Sequence, residues 1–121
     1  MDSYTGGPDA TAEWRRAQQN LLTLRDMAAS DRARFGVATF PMLYGFEERP
    51  YPFQPAMDAV ESFCRASGIP HLSLLPAFRG RRATDLWVSE INKHPNAEGH
   101  AIAAEALLPF VLQLMGGSSS P

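Results

Sequence analysis

Apolar residues recur along this chain in three stretches at helical spacing and in two stretches of strand length. Trp14, Ala17, Leu21, Leu24 and Ala28 follow one another at intervals of three and four, with Arg15, Arg16, Gln19 and Arg25 on the other side. That pattern predicts an amphipathic helix over 10–29, capped by Asp9 or Thr11, whose short side-chain oxygens accept from the open N–H groups of a first turn. Met57, Val60, Phe63 and Cys64 form the stripe of a second helix, from Pro55 to Ser67, stopped by Gly68. Ile102, Ala106, Leu107, Phe110 and Leu114 line a third, with Pro95 suited to its first turn. Pro109 inside that run predicts a kink or an end. Between the helices, Arg34 to Pro41 (RFGVATFP) and Ile69 to Leu75 (IPHLSLL) read as strands. The stretch Phe35–Phe40 carries no charge, so it is expected to be buried on both faces, as in a parallel sheet. Residues 42–53 and 76–93 are long connections, and the first carries four aromatics and two prolines.

The order helix, strand, helix, strand, helix implies right-handed crossovers and an α/β fold, a parallel sheet covered by helices. Only two strands are convincing, whereas sheets usually have four to six. Two strands leave two open edges, which predict a homo-oligomer or an unusual sheet. The expected division is a flexible lead-in over 1–9, one domain over 10–115, and a flexible tail over 116–121.

Composition narrows the classes. The chain has 121 residues, 45% hydrophobic and 20% charged, which suits one small globular domain. Eleven Lys+Arg against thirteen Asp+Glu leave a net charge of −2, which argues against a nucleic-acid partner. A single cysteine, Cys64, excludes an internal disulfide and a multi-cysteine metal site, and it reads as a small buried hydrophobe. No run approaches the roughly 18 apolar residues of a membrane span, and the first thirty residues lack signal-peptide character. The reading is a soluble, cytoplasmic chain with no membrane partner, no metal and no cofactor.

The sharpest local feature is Asn92-Lys93-His94-Pro95-Asn96-Ala97-Glu98-Gly99-His100. It places His94 on a loop ahead of a helix, on the ligand-binding side of an open α/β sheet. Such a histidine serves either as a general base held in a fixed place or as an exposed polar residue at a helix start. His71, at the start of a strand, reads as a hydrogen-bonded structural histidine. Arg79, Arg81 and Arg82 form a basic patch, either a site for an acidic group or a solvated loop. Phe40, Tyr44, Phe46, Tyr51 and Phe53 either wall a pocket or cover the core beneath a long loop.

LLPAFRG at 74–80, LWVS at 86–89 and HPNAEGHAIAAEAL at 94–107 resemble the C-terminal half of SGNH/GDSL-type serine ester hydrolases. The resemblance spans residues 12–112. It implies a truncated, flavodoxin-like three-layer sandwich, with parallel strands and flanking helices. It also implies a Ser-His-Asp chemistry in which His94 is the base. The family pattern has an aspartate two or three residues before this histidine, whereas Asn92 and Ile91 stand there. An amide holds an imidazole but does not stabilise its positive form. In a serine-protease triad the change from Asp to Asn costs about 10⁴ in turnover. Glu90 is the nearest upstream carboxylate, either a substitute acid or a solvated charge.

The family's N-terminal strands and nucleophile block have no ordinary counterpart. Asp2-Ser3-Tyr4-Thr5-Gly6-Gly7 resembles the Gly-Asp-Ser block, with Met1 in place of its glycine. That makes Ser3 the candidate nucleophile, with backbone N–H groups at Ser3 and Gly6 as oxyanion donors. Ser89 is a second hydroxyl. The implied function is a carboxylic ester hydrolase acting on a small, short-chain ester, with Phe40, Tyr44, Phe46 and Tyr51 as its pocket. The alternative is a non-catalytic remnant or oligomeric interaction module.

Overall fold

A computed structural model describes residues 11–116. Thr11 caps helix α1 (Ala12–Ser30), its hydroxyl accepting from the backbone N–H of Trp14 at 3.2 Å. No residue of α1 is buried. It rests on the next helix, α2 (Gln54–Ala66), through an edge-to-face contact of Trp14 with Phe63 and a 3.0 Å bond from Arg25 to the carbonyl of Ser67. α2 ends as its sequence requires. Gly68 takes φ +71°, and its N–H donates to Arg65 O while that of Ile69 donates to Cys64 O. This Schellman turn buries Ile69 against the helix end.

Strands β1 (Val37–Thr39) and β2 (His71–Ser73) pair in parallel, with Val37 opposite His71 and Thr39 opposite Ser73. Both are shorter than the sequence suggests. β1 is also less covered than a strand buried on two faces: Ala38 and Phe40 are exposed. Two strands alone present too narrow a ribbon for helices to close both faces. Beyond Ser73 the chain turns into a short helix, α3 (Leu75–Phe78), rather than continuing as strand to Leu75. Pro76 has no N–H for a ladder and suits a first helical turn, and the Ser73 hydroxyl accepts from Leu75 N at 3.3 Å.

A 3₁₀ turn (Ala83–Leu86) leads into a hairpin that periodicity does not reveal. Strand β3 (Trp87–Ser89) runs antiparallel to β4 (Asn92–Pro95) across Glu90 and Ile91. His94 therefore sits on a strand, and Pro95 precedes helix α4 (Ala97–Leu114) instead of opening it. Asn96 caps α4, its Oδ1 accepting from Gly99 N at 2.9 Å. α4 runs through Pro109 to Leu114. Pro109 and Glu105 are both exposed, so the carbonyl that loses its donor lies on the wet side of the helix, where bending is least costly.

The described residues thus form a mixed α/β arrangement with more helix than strand. Its core gathers where loops and the start of α4 meet. Leu43, Phe46, Tyr51, Met57, Leu74, Leu75, Phe78, Leu86, Ile102 and Ala103 make one cluster. Phe46 stacks between Phe78 at 5.9 Å and Tyr51 at 6.2 Å, centroid to centroid. None of the helices among the described residues is long and apolar enough to cross a membrane.

Candidate functional site

His94 is exposed on β4 and held by its own strand. Asn92 Oδ1 lies 3.2 Å from the His94 backbone N and 2.8 Å from His94 Nδ1. A backbone nitrogen can only donate, so the Asn92 atom facing it is the oxygen. That fixes the amide orientation, and the same oxygen then requires a proton on Nδ1. In the neutral ring this leaves Nε2 as the acceptor, with no hydrogen-bond partner among the described residues. This is the tautomer a general base needs.

A groove of about 350 Å³ runs beside the histidine. One wall is Phe40, Pro41, Met42, Leu43 and Tyr44, from the loop after β1, and the other is Lys93, His94 and Pro95. Three side-chain donors hold that loop, one from within it and two from distant parts of the chain. Tyr51 Oη donates to Met42 O at 2.6 Å, Trp87 Nε1 to Leu43 O at 2.9 Å, and Arg79 Nη1 to Phe46 O at 2.8 Å. Burial pushes the Tyr51 phenol up to about 12, against the lowering effects of its bond to Met42 and of Arg79, so it stays a neutral donor.

Two further depressions adjoin the groove. Phe40 and Met42 are shared with an apolar one of about 380 Å³, completed by Thr39, Phe53, Ala56, Met57 and Val60. Tyr44 is shared with a wider cleft of about 610 Å³ that Arg49, Arg81 and Arg82 help to line. Lys93 stands at that junction, its Nζ 4.9 Å above the ring of Trp87, which also faces the cleft.

The structure separates the residues that the sequence groups together. His94 and Asn92 are brought together, and Phe40 and Tyr44 line their groove. Phe46 and Tyr51 are each only 1% exposed and belong to the core, because they pack on Phe78 beneath the loop rather than facing outward. Glu90 is exposed at the hairpin turn and makes no bond to His94 among the described residues. The Ser89 hydroxyl accepts from Asn92 N at 3.1 Å and so shapes the turn. Ser3 and Gly6, with the rest of the lead-in over 1–9, lie outside the described residues, as do residues 117–121 of the tail.

Pro41, Met42, Leu43, Lys93 and Pro95 complete the groove, although the sequence does not mark them as pocket residues. The only signal for them is their nearness to His94 or to a strand end. His71 is hydrogen-bonded to Thr39 Oγ1 at 2.6 Å across β1 and β2, a structural placement. Cys64 is fully buried on α2, and burial raises its thiol pKa. Among the described residues no three His, Cys, Asp or Glu side chains stand together as a metal site. No family model, curated protein or solved structure matches the chain.

Proposed function

We propose that the chain is a reduced, SGNH-like serine ester hydrolase, built on part of a flavodoxin-like three-layer sandwich and acting on short-chain carboxylic esters. The observation that carries this reading is the Asn92–His94 pair, which holds the imidazole in the base tautomer on the wall of a groove. In the proposed reaction His94 Nε2 takes the proton of a serine hydroxyl as the oxygen attacks the ester carbonyl. It then returns that proton to the leaving alcohol, and a water molecule repeats the sequence on the acyl-serine. Ser3 is the nucleophile that the motif favours, with N–H groups at Ser3 and Gly6 as oxyanion donors. The apolar depression beside Phe40 and Met42 suits a short acyl chain.

The test is ester hydrolysis by the purified chain. His94→Ala should abolish it. Ser3→Ala should abolish it too, and activity surviving that change alone would reject Ser3 while keeping the histidine. Asn92→Asp should raise turnover by at least about tenfold, since a carboxylate stabilises the imidazolium worth up to about 10⁴ in a comparable triad. Hydrolysis by the wild-type chain no faster than buffer would sink the reading.

A second reading has its own observations. An amide stands in the acid position, and no described hydroxyl is bonded to His94. These favour a non-catalytic module that has kept its packing. Either reading is compatible with a homo-oligomer. The described sheet has two strands, and α4 exposes Leu108, Val111, Leu112 and Met115 along one side. A sedimentation coefficient fitting a 13.3 kDa monomer throughout the micromolar range would rule the oligomer out.

A further inference from the structure

The arginine-lined cleft next to the histidine groove is built from two loops that the sequence keeps far apart. Arg49 comes from the loop after β1, and Arg81 and Arg82 come from the connection after α3. Arg79 joins these loops, donating to Phe46 O from the second to the first and lying 5.6 Å from the ring centre of Tyr51. It serves as a structural tie, and Arg49 donates to the same two carbonyls, whereas the guanidinium groups of Arg81 and Arg82 are less engaged. Arg49 spends Nη1 on the carbonyls of Phe46 and Glu48. Arg81 and Arg82 have only long ion pairs, 3.9 Å to Glu98 and 4.0 Å to Asp85, and no hydrogen bond among the described residues. One carboxylate, Glu47, also lines the cleft, so the lining carries an excess of positive charge. The chain as a whole is at −2, which makes this local excess a feature of placement and not of composition.

The cleft shares Tyr44 with the His94 groove, and the apolar depression shares Phe40 and Met42 with it. An ester carbonyl beside His94 would therefore have both an apolar surface and guanidinium groups in adjoining depressions. We propose that the cleft is an anion subsite, and that the substrate is an acyl ester whose alcohol part carries a small oxyanion, a carboxylate or a phosphate. Guanidinium forks match both groups in geometry and charge. Lys93, held over Trp87 at the junction, adds a point charge on the path between the two chambers. The substrate half of this inference rests on the hydrolase reading, but the anion subsite does not.

The experiment separates them by reading binding and turnover independently. ¹⁵N-labelled protein is titrated with acetoxyacetate, with 2-acetoxyethyl phosphate, and with methyl acetoxyacetate as the neutral counterpart. Amide shifts at 80–84 report binding, and acetate release reports turnover. Each anionic ester should bind about fivefold more tightly than the neutral one, the scale of an exposed ion pair or two. The preference should fade in high salt. It should persist in His94→Ala and vanish in the double variant Arg81→Gln, Arg82→Gln, whose melting curve checks that it folds. A carboxylate preference without a phosphate preference, or the reverse, identifies the oxyanion and supports the subsite. Preference without acetate release sinks the hydrolase reading and leaves the anion subsite standing. Equal affinity for charged and neutral esters, no binding of either anion, or a preference untouched in the double glutamine variant overturns the subsite, whatever the turnover.

Discussion

The two halves of α4 differ in what they bury. Its first turns bury Gly99, Ile102 and Ala103 against the aromatic core. Its last turns expose Leu108, Val111, Leu112 and Met115, although the sequence there is at least as apolar. A helix apolar on all sides is ordinarily enclosed by other elements. Here the end near the groove is enclosed by α3, the 3₁₀ turn and β4, while the far end is covered on one side only, where Phe110 and Leu114 pack against Gly36. The comparison teaches that hydrophobicity sets what a helix can bury, while the supply of covering chain decides what it does bury. The same contrast holds between Phe78, wholly buried, and α1, which buries nothing.

The largest expected effect comes from the enclosed end. Phe78→Ala removes a ring stacked on Phe46 and tilted against Phe40, and should cost about 3–5 kcal/mol in denaturant titration. A cost below about 1 kcal/mol would mean that the core is not where the structure puts it.

Asn96→Ala comes next. Its Oδ1 caps α4, and its Nδ2 donates to Asp85 O at 2.9 Å and Trp87 O at 3.1 Å. Loss of cap and ties should cost about 1–2 kcal/mol. Asn96→Asp, which keeps the acceptor and loses the donors, should fall between the wild type and the alanine variant.

A smaller effect is expected from acid. Burial lowers the pKa of His71 from its ordinary 6.5; Arg65 adds to this, and Glu61 opposes it. The unfolded chain therefore takes up its proton first as pH falls. The stability from neutral His71 is present in full above 6.5 and is lost as pH drops through the lower, folded-state value. His71→Gln should flatten that part of the curve of stability against pH, and an unchanged slope would reject the assignment.

The smallest effect belongs to the open side. Leu24→Gln and Met27→Gln on α1 should each shift stability by no more than about 0.5 kcal/mol, since both side chains are about half exposed already. A substantially larger loss from either would mean that this face of α1 is covered in solution.

The three long helices and the centres of both paired strands were legible in the sequence. Their apolar spacing is long or their flanking signals are strong, as at Gly68. The hairpin carrying His94 was not, because Glu90-Ile91 has neither glycine nor asparagine to mark a two-residue turn. Pro95 was misplaced for a related reason: proline suits a first helical turn and the end of a strand equally well. In the candidate site, the pairing of Asn92 with His94 followed from their spacing of two. The fates of Tyr44 and Tyr51 did not. Both are aromatics in a loop without periodicity, and the way the loop folds back on itself gives Tyr51 an acceptor on Met42 and a ring partner in Phe46 while Tyr44 lines the groove.

The ties on that loop have a consequence for how the molecule opens. Trp87 holds Leu43 O, Asn96 holds Trp87 O and caps α4, and Arg79 holds Phe46 O. Neither wall of the histidine groove can fray by itself, since the first is fastened through Trp87 to the hairpin that carries the second. The groove thus behaves as one cooperative unit. Amide exchange at Tyr44 and Asn96, whose N–H groups donate to Met42 O and Leu86 O, should report a single shared opening energy, well above that of the solvent-facing turns of α1.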